Sequence, residues 1–309
     1  PNYDAMMDNP PYEIELPAMI PLAVAQPVAL SMAGHLLWME RASNGAFRIC
    51  RSVAEIEAAQ AAGAIAGVMH MEGAEAIDDS LDALHAFHAM GLRSIGPVWS
   101  RPTIFGHGVP FRFPGSPDTG PGLTAAGKRL VRECNALRMV VDLSHLNEAG
   151  FNDVAALSDA PLIATHSNAH AITPSSRNLT DRQLAAIRET GGMVGLNFAT
   201  SFLRPDGRES PDMTLDPVKA HIDHMLKVAG EDHVGIGAQQ RMCVHDEAGQ
   251  PLVELRVGLG GVDLAPHHLA VGPCQVEDAI GQAAVPVLVD QVGARIAVQA
   301  HAVDHVDHG

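Results

Sequence analysis

Two histidines stand where a buried strand has little use for them. The apolar run Met139–Leu143 ends on Ser144 and His145, and the run Pro161–Thr165 ends on His166. Neutral imidazole is a common ligand for zinc and related ions, and adjacent strand ends can bring two of them to one metal. Glu72 closes an earlier apolar run, "GVMHME". Its two carboxylate oxygens suit it to bridging a pair of ions. Any one of these residues alone reads as a polar strand end bonded to a loop; the three together read as a metal site.

Arg177, in "TPSSRN" just beyond His166, adds a planar cation to the same neighbourhood. A guanidinium there is suited to holding a substrate carboxylate through two parallel hydrogen bonds. The other histidines read as less central. His70 points the same way as Glu72, one step deeper, as a core or supporting residue. His85 and His88 fall on a helix and read as peripheral. His107, in the long loop "IFGHGVPFRFPGSPDTGPG", reads as solvent-exposed. The "HAVDHVDH" terminus has ligand-like spacing but an atypical setting. No glycine-rich phosphate loop, serine-nucleophile elbow or redox cysteine pair is present.

Positioning these groups requires strands and helices in alternation, and residues 52–237 supply them. Helical spacing over "SVAEIEAAQAAG", "DDSLDALHAFHAMG", "TAAGKRLVRECNALR", "NEAGFNDVAALSDA", "TDRQLAAIRETGG" and "LDPVKAHIDHMLKVAGEDH" alternates with "AIAGVMHMEG", "LRSIGPVW", "MVVDLSH", "PLIATHS", "MVGLNFA" and "VGIG". Six such units imply a parallel sheet covered by helices. A (β/α)8 barrel and an open doubly wound sheet both fit. The barrel is favoured because polar residues recur at the ends of separate strands, which a barrel gathers into one ring. Six strands do not close it, so the expected fold is an incomplete (β/α)8 TIM-type metallo-barrel.

Bulk composition narrows the partners. With 36 acidic and 20 basic residues the net charge is −16, the wrong sign for a surface that neutralises phosphates, so no nucleic-acid partner is expected. The four cysteines form no C-x-x-C pair and read as reduced. The apolar stretch "LPAMIPLAVAQPVALSMAG" is broken by Pro21, Gln26 and Pro27, so no transmembrane segment is expected, and no signal peptide precedes it. A cytoplasmic setting is therefore favoured. The chain opens on Pro1 rather than Met and reads as a fragment. From Gln239 to Gly309 there is no Ser, Thr, Asn, Lys, Phe, Tyr or Trp. That bias is foreign to globular sequence and reads as translation in a shifted frame. The organisation expected is a partial barrel over 1–237 and an atypical tail over 238–309.

Taken together, "MHMEGAEAI", "GLRSIGPVWSRPTIFGHGVPFRFPGSPDTGPGLTAAGKRLV", "VDLSHLN", "ATHSNAHAITPSSRNLTDRQL" and "GGMVGLNFA" resemble the membrane (renal-type) dipeptidase family of zinc peptidases, in a bacterial form. The likeness runs from about Tyr3 to Gly237. It implies a (β/α)8 metallo-barrel with two zinc ions, which hydrolyses dipeptides through a hydroxide bridging the metals. By the resemblance Glu72 bridges the ions, His145 and His166 hold the second, and Arg177 binds the substrate's terminal carboxylate. The family's His-x-Asp pair for the first ion has no counterpart in this chain. The aspartate expected after "GIG", which assists catalysis, is replaced by "AQQRMC", so no catalytic acid or base is assigned. Trp99 stands where many relatives carry a substrate-contacting histidine. Two other readings stay open: a related amidohydrolase acting on N-acyl amino acids, and a non-catalytic remnant that binds a metal or anion. A homodimer is one assembly left open.

Overall fold

A computed structural model describes residues 3–210 and 213–237 and, beyond them, the backbone of four short strands at 242–245, 251–255, 288–289 and 298–300. The remainder of the expected tail, including "HAVDHVDH", lies outside the described residues. The chain runs α1 (Tyr3–Met6), β1 (Tyr12–Ile14), α2 (Leu22–Ala42), β2 (Phe47–Ile49), α3 (Val53–Ala61), β3 (Ile65–Gly67), β4 (Met69–Glu72), α4 (Asp82–Met90) and β5 (Leu92–Gly96). It continues through β6 (Phe111–Phe113), α5 (Ala125–Leu137), β7 (Val140–Val141), α6 (Glu148–Leu157), β8 (Ile163–Ala164), α7 (Asp181–Glu189) and β9 (Met193–Leu196). A short α8 (Thr200–Leu203), α9 (Asp216–Ala229) and β10 (Val234–Gly237) follow, and then β11 (Met242–His245), β12 (Pro251–Leu255), β13 (Leu288–Val289) and β14 (Val298–Ala300).

All six expected strand–helix units are present. β4, β5 and β7 are parallel neighbours, as are β8, β9 and β10. A single parallel pairing of Asp142 with Ile163 joins the two groups. β14 adds in parallel to β4 and β13 antiparallel to β10. The architecture is therefore mixed α/β with a parallel arc of the six expected strands extended by β14, and among the described residues that arc does not close. Parallel strands present their C-terminal ends to one edge, so Glu72, Gly96, His145 and His166 emerge on the same side.

The helices hold this edge by burying one face each. Leu84 and Phe87 of α4, Leu130, Val131 and Cys134 of α5, Phe151 and Val154 of α6, and Leu184 and Ile187 of α7 meet Ile95, Val141, Ala164, Val194 and Leu196 of the strands in one core. Each buried Leu, Ile, Val or Phe among them contributes about 1.5–3 kcal/mol. Caps fix where the helices start: Thr124 and Asn147 accept from Gly127 and Gly150 backbone N–H groups, and Thr180 forms a reciprocal capping box with Gln183.

At the N-terminal side one helix meets the length and apolarity of a membrane span, a test that core helices of soluble proteins also meet. The proline-interrupted stretch forms α2, a 21-residue helix with Pro27 inside it, long and apolar enough to cross a membrane by length and composition. It packs Ala25, Ala33 and Leu36 against the core and leaves Leu30 and Trp38 exposed. Pro27 removes one hydrogen bond near the start of the helix, which the remaining turns outweigh.

The long loop after β5 is not loose. Gly108 bridges to Leu146, Val109 N–H donates to His145 C=O at 2.9 Å, and Asn147 N–H donates to His107 C=O at 3.2 Å. His107 is accordingly half-buried rather than exposed. A Cβ added at Gly108 would fall 2.3 Å from Trp99 O and 2.4 Å from Ser100 O. Gly108→Ala is expected to cost about 1–3 kcal/mol, read as a lower urea midpoint at unchanged slope.

Candidate metal centre

At the C-terminal edge the three sequence-identified residues meet. His145 Nε2 lies 3.2 Å and His166 Nε2 3.1 Å from Glu72 Oε1, and the two nitrogens are 3.0 Å apart. All three side chains are buried. A tetrahedral ion with bonds of about 2.0–2.1 Å spaces its ligand atoms roughly 3.3 Å apart, so these separations fit one ion seated among two nitrogens and an oxygen. Burial, joined by the nearby Arg177 charge, holds the His145 pKa down at about 3. Burial likewise lowers that of His166. Both imidazoles are therefore neutral, the form that ligates metals.

His145 reaches this position through a strained backbone. Its φ of +68° lies in the left-handed region, which is uncommon for a residue with a Cβ. That turn swings the imidazole from the end of β7 toward Glu72 and His166. The strain is on the order of 1 kcal/mol and is offset by the bonds that the loop after β5 makes to this segment.

Arg177 is buried alongside. Its Nε donates to His145 Nδ1 at 3.1 Å, Nη1 to Ser167 Oγ at 3.0 Å and Nη2 to His166 C=O at 2.8 Å. Burial lowers its pKa to about 10, so it is cationic at neutral pH. Among the described residues three of its five N–H donors are taken, which leaves one on each of Nη1 and Nη2 for a ligand. Ser100 Oγ also lies 2.9 Å from His145 Nδ1.

An aromatic wall stands beside these groups. The Trp99 ring centroid is 5.7 Å from that of His145 and 5.4 Å from Phe111, edge to face, and Phe111 is 6.0 Å from Phe202. The Arg101 guanidinium stacks 5.1 Å from the Trp99 ring while its Nε bonds Glu75 at 2.9 Å, which holds the indole in place. β1 and β6 pair antiparallel and complete this side, with Met7, Ile14 and Ala199 packed behind it.

The family model of the membrane dipeptidases, peptidase family M19, matches residues 23–242. The chain belongs to this family. Among solved structures it is similar to dipeptidase AC, a metallopeptidase of family M19, at 69% identity and a TM-score of 0.75, covering 76% of this chain and 68% of that one. It is also similar to a metallopeptidase from Rhodobacter sphaeroides bound to a phosphinate mimic of the dipeptide L-Ala-D-Ala. There the identity is 67% and the TM-score 0.76, covering 81% of this chain and 70% of the other. An uncharacterised protein encoded in the pqqA 5′ region of Klebsiella pneumoniae is 48% identical over 223 residues, which span 69% of this chain and 82% of that protein.

Within this dipeptidase-family chain the remaining histidines separate clearly. His85 faces Glu133 on exposed surface and His88 sits on the same helix, away from the cluster. His70 is buried, with Nδ1 2.8 Å from Ser94 Oγ and Nε2 3.7 Å from Asp142 Oδ2. Sequence reasoning overlooked Asp142, Thr165 and Ser144, which fasten together the strand ends that carry His145 and His166. It also passed over His221. That residue is wholly buried on α9, and its Nδ1 accepts from Ala169 N–H at 3.0 Å while Nε2 lies 3.1 Å from Leu203 C=O. His221 thereby pins the loop that carries Arg177.

Burial lowers the His221 pKa to about 4. The unfolded chain takes up this proton as pH drops through about 6.5, the folded chain only near 4. His221 therefore contributes fully above about 6.5 and progressively less down to about 4, a loss on the order of 3 kcal/mol. His221→Gln is expected to show a smaller loss of melting temperature between pH 7.5 and 4.5 than the unmodified chain; an equal loss contradicts the assignment.

Proposed function

We propose that the chain acts as a metal-dependent dipeptidase through Glu72, His145, His166 and Arg177. The observation that carries the reading is the convergence of two neutral imidazoles and a carboxylate with a buried cation bonded directly to one of the imidazoles. The ion proposed is zinc, held by His145 Nε2, His166 Nε2 and Glu72. A bound divalent ion supplies Lewis acidity at the scissile carbonyl and lowers the pKa of the water it holds. His145 Nδ1 accepts from Arg177 Nε at 3.1 Å and lies 2.9 Å from Ser100 Oγ, which orients the ring with Nε2 toward Glu72 and His166. Arg177 offers its two remaining N–H donors to the substrate's terminal carboxylate, which sets the length of substrate beyond the scissile bond. Trp99, Phe111 and Phe202 keep water from one side and present an apolar wall to the substrate.

A second ion sharing Glu72, as in the family's two-zinc arrangement, needs further ligands; the described residues offer one cluster of ligand type. The parallel arc is read as part of a (β/α)8 barrel over 1–237, with 238–309 an atypical tail. The family match ending at residue 242 supports that boundary. Incubation of the zinc-supplemented chain with L-Ala-D-Ala, other dipeptides and N-acetyl amino acids tests the function. Release of free amino acids from dipeptides, stopped by a chelator and restored by zinc, is expected. Turnover confined to the acylated substrates would move the reading to an N-acyl amino acid hydrolase, and zinc uptake without turnover would leave a binding remnant.

A further inference from the structure

We propose that Thr165 and Asp142 act as positioning residues that hold His166 in the tautomer with its proton on Nδ1, leaving the Nε2 lone pair directed at the metal position. The inference rests on the reading of His166 as a ligand. Thr165 Oγ lies 2.6 Å from Asp142 Oδ2 and 2.7 Å from His166 Nδ1. A hydroxyl has one proton to donate. Asp142 accepts at every other contact: Oδ1 takes the backbone N–H of Ser144 at 3.0 Å and of Thr165 at 2.9 Å. Oδ1 thus holds two N–H donors and Oδ2 faces the His70 ring at 3.7 Å, the surroundings of an ionised carboxylate. An ionised carboxylate can only accept, so the Thr165 hydroxyl donates to Asp142. It must then accept at His166 Nδ1, which therefore carries the ring proton.

The same relay sets the ring's orientation. Asp142 grips Thr165 by both backbone and side chain, and Ser144 Oγ accepts the His166 backbone N–H at 3.0 Å. Asp142, the residue at which the two halves of the sheet pair, thus ties His166 on one strand to the segment leading into His145 on the next. Histidine ligands in metal sites commonly hand the second ring proton to a carboxylate or carbonyl. Here a threonine hydroxyl stands between imidazole and carboxylate, and nothing in the ligand set itself requires it.

The tautomer is measured without metal, so its failure is distinguishable from failure of the metal reading. Long-range 1H–15N correlation spectra of the unmodified metal-free chain, with His166 assigned through His166→Gln, are expected to show Nδ1 protonated and Nε2 bare. A protonated Nε2 overturns the proposal. In a chelator competition, Thr165→Val is expected to bind zinc about 10–100-fold more weakly than the unmodified chain, while Thr165→Ser, which keeps the hydroxyl, stays within about threefold. Thr165→Val binding as tightly as the unmodified chain, or Thr165→Ser weakened equally with it, overturns the proposal. Should Thr165→Val fail to fold, the spectrum of the unmodified chain alone decides.

Discussion

Glu72→Gln is expected to remove tight zinc binding from the chain and, with it, dipeptide hydrolysis. The substitution keeps volume and removes charge, so packing at the end of β4 changes little. What changes is the donor set: the carboxylate oxygen that lies 3.1–3.2 Å from both imidazole nitrogens becomes a neutral amide. A weaker donor replaces the one anionic ligand of the cluster. Residues that merely support a metal ligand are worth about 10–100-fold in affinity, and a ligand itself should exceed that. Chelator competition is therefore expected to show at least a hundredfold weakening, with the thermal transition of the metal-free protein moved by only a few degrees. Glu72→Gln with undiminished zinc affinity would remove Glu72 from the site.

The second large effect belongs to Arg177. Arg177→Met keeps much of the side-chain length and deletes the guanidinium. Truncating one partner of a buried, hydrogen-bonded charge pair costs about 2–5 kcal/mol, so kcat/KM for dipeptides should fall by roughly two to three orders of magnitude. The loss is expected mainly in KM, because the cation's partner is a carboxylate present in both the ground and transition states. Dipeptide amides, which lack that carboxylate, should be slow substrates for the unmodified chain and little changed by the substitution. Arg177→Lys should recover only part of the loss, since an ammonium cannot offer the paired planar donors. Equal losses on the acid and the amide would mean that Arg177 acts through His145, to which its Nε is bonded, rather than on the substrate.

Much of this was legible in the residues because hydrophobic period reports burial. The six alternations from Val53 to Gly237 were readable for that reason, and so were Glu72, His145 and His166, since a polar residue that ends an apolar run in a parallel sheet falls at one edge. Arg177 came from chemistry and position in a loop. What stayed hidden depends on contacts between residues far apart in sequence. The left-handed φ of His145 has no signature in a residue type that rarely adopts it. Asp142 and Thr165 read as ordinary strand-end polar residues until the 2.6 Å contact between them is seen. The ladders of β7 and β8 last only two residues, because the chain leaves the sheet there to make those side-chain bonds. α2 was obscured by Pro27, whose local cost its 21-residue length outweighs.

Zinc K-edge X-ray absorption of the zinc-loaded chain tests the central claim most directly. A first shell of two imidazoles and carboxylate oxygen, with the imidazole signal reduced in His145→Ala and in His166→Ala, is the predicted result. A shell of sulfur or of water oxygens alone, or a spectrum unchanged by both substitutions, would contradict the assignment of these residues as the metal centre.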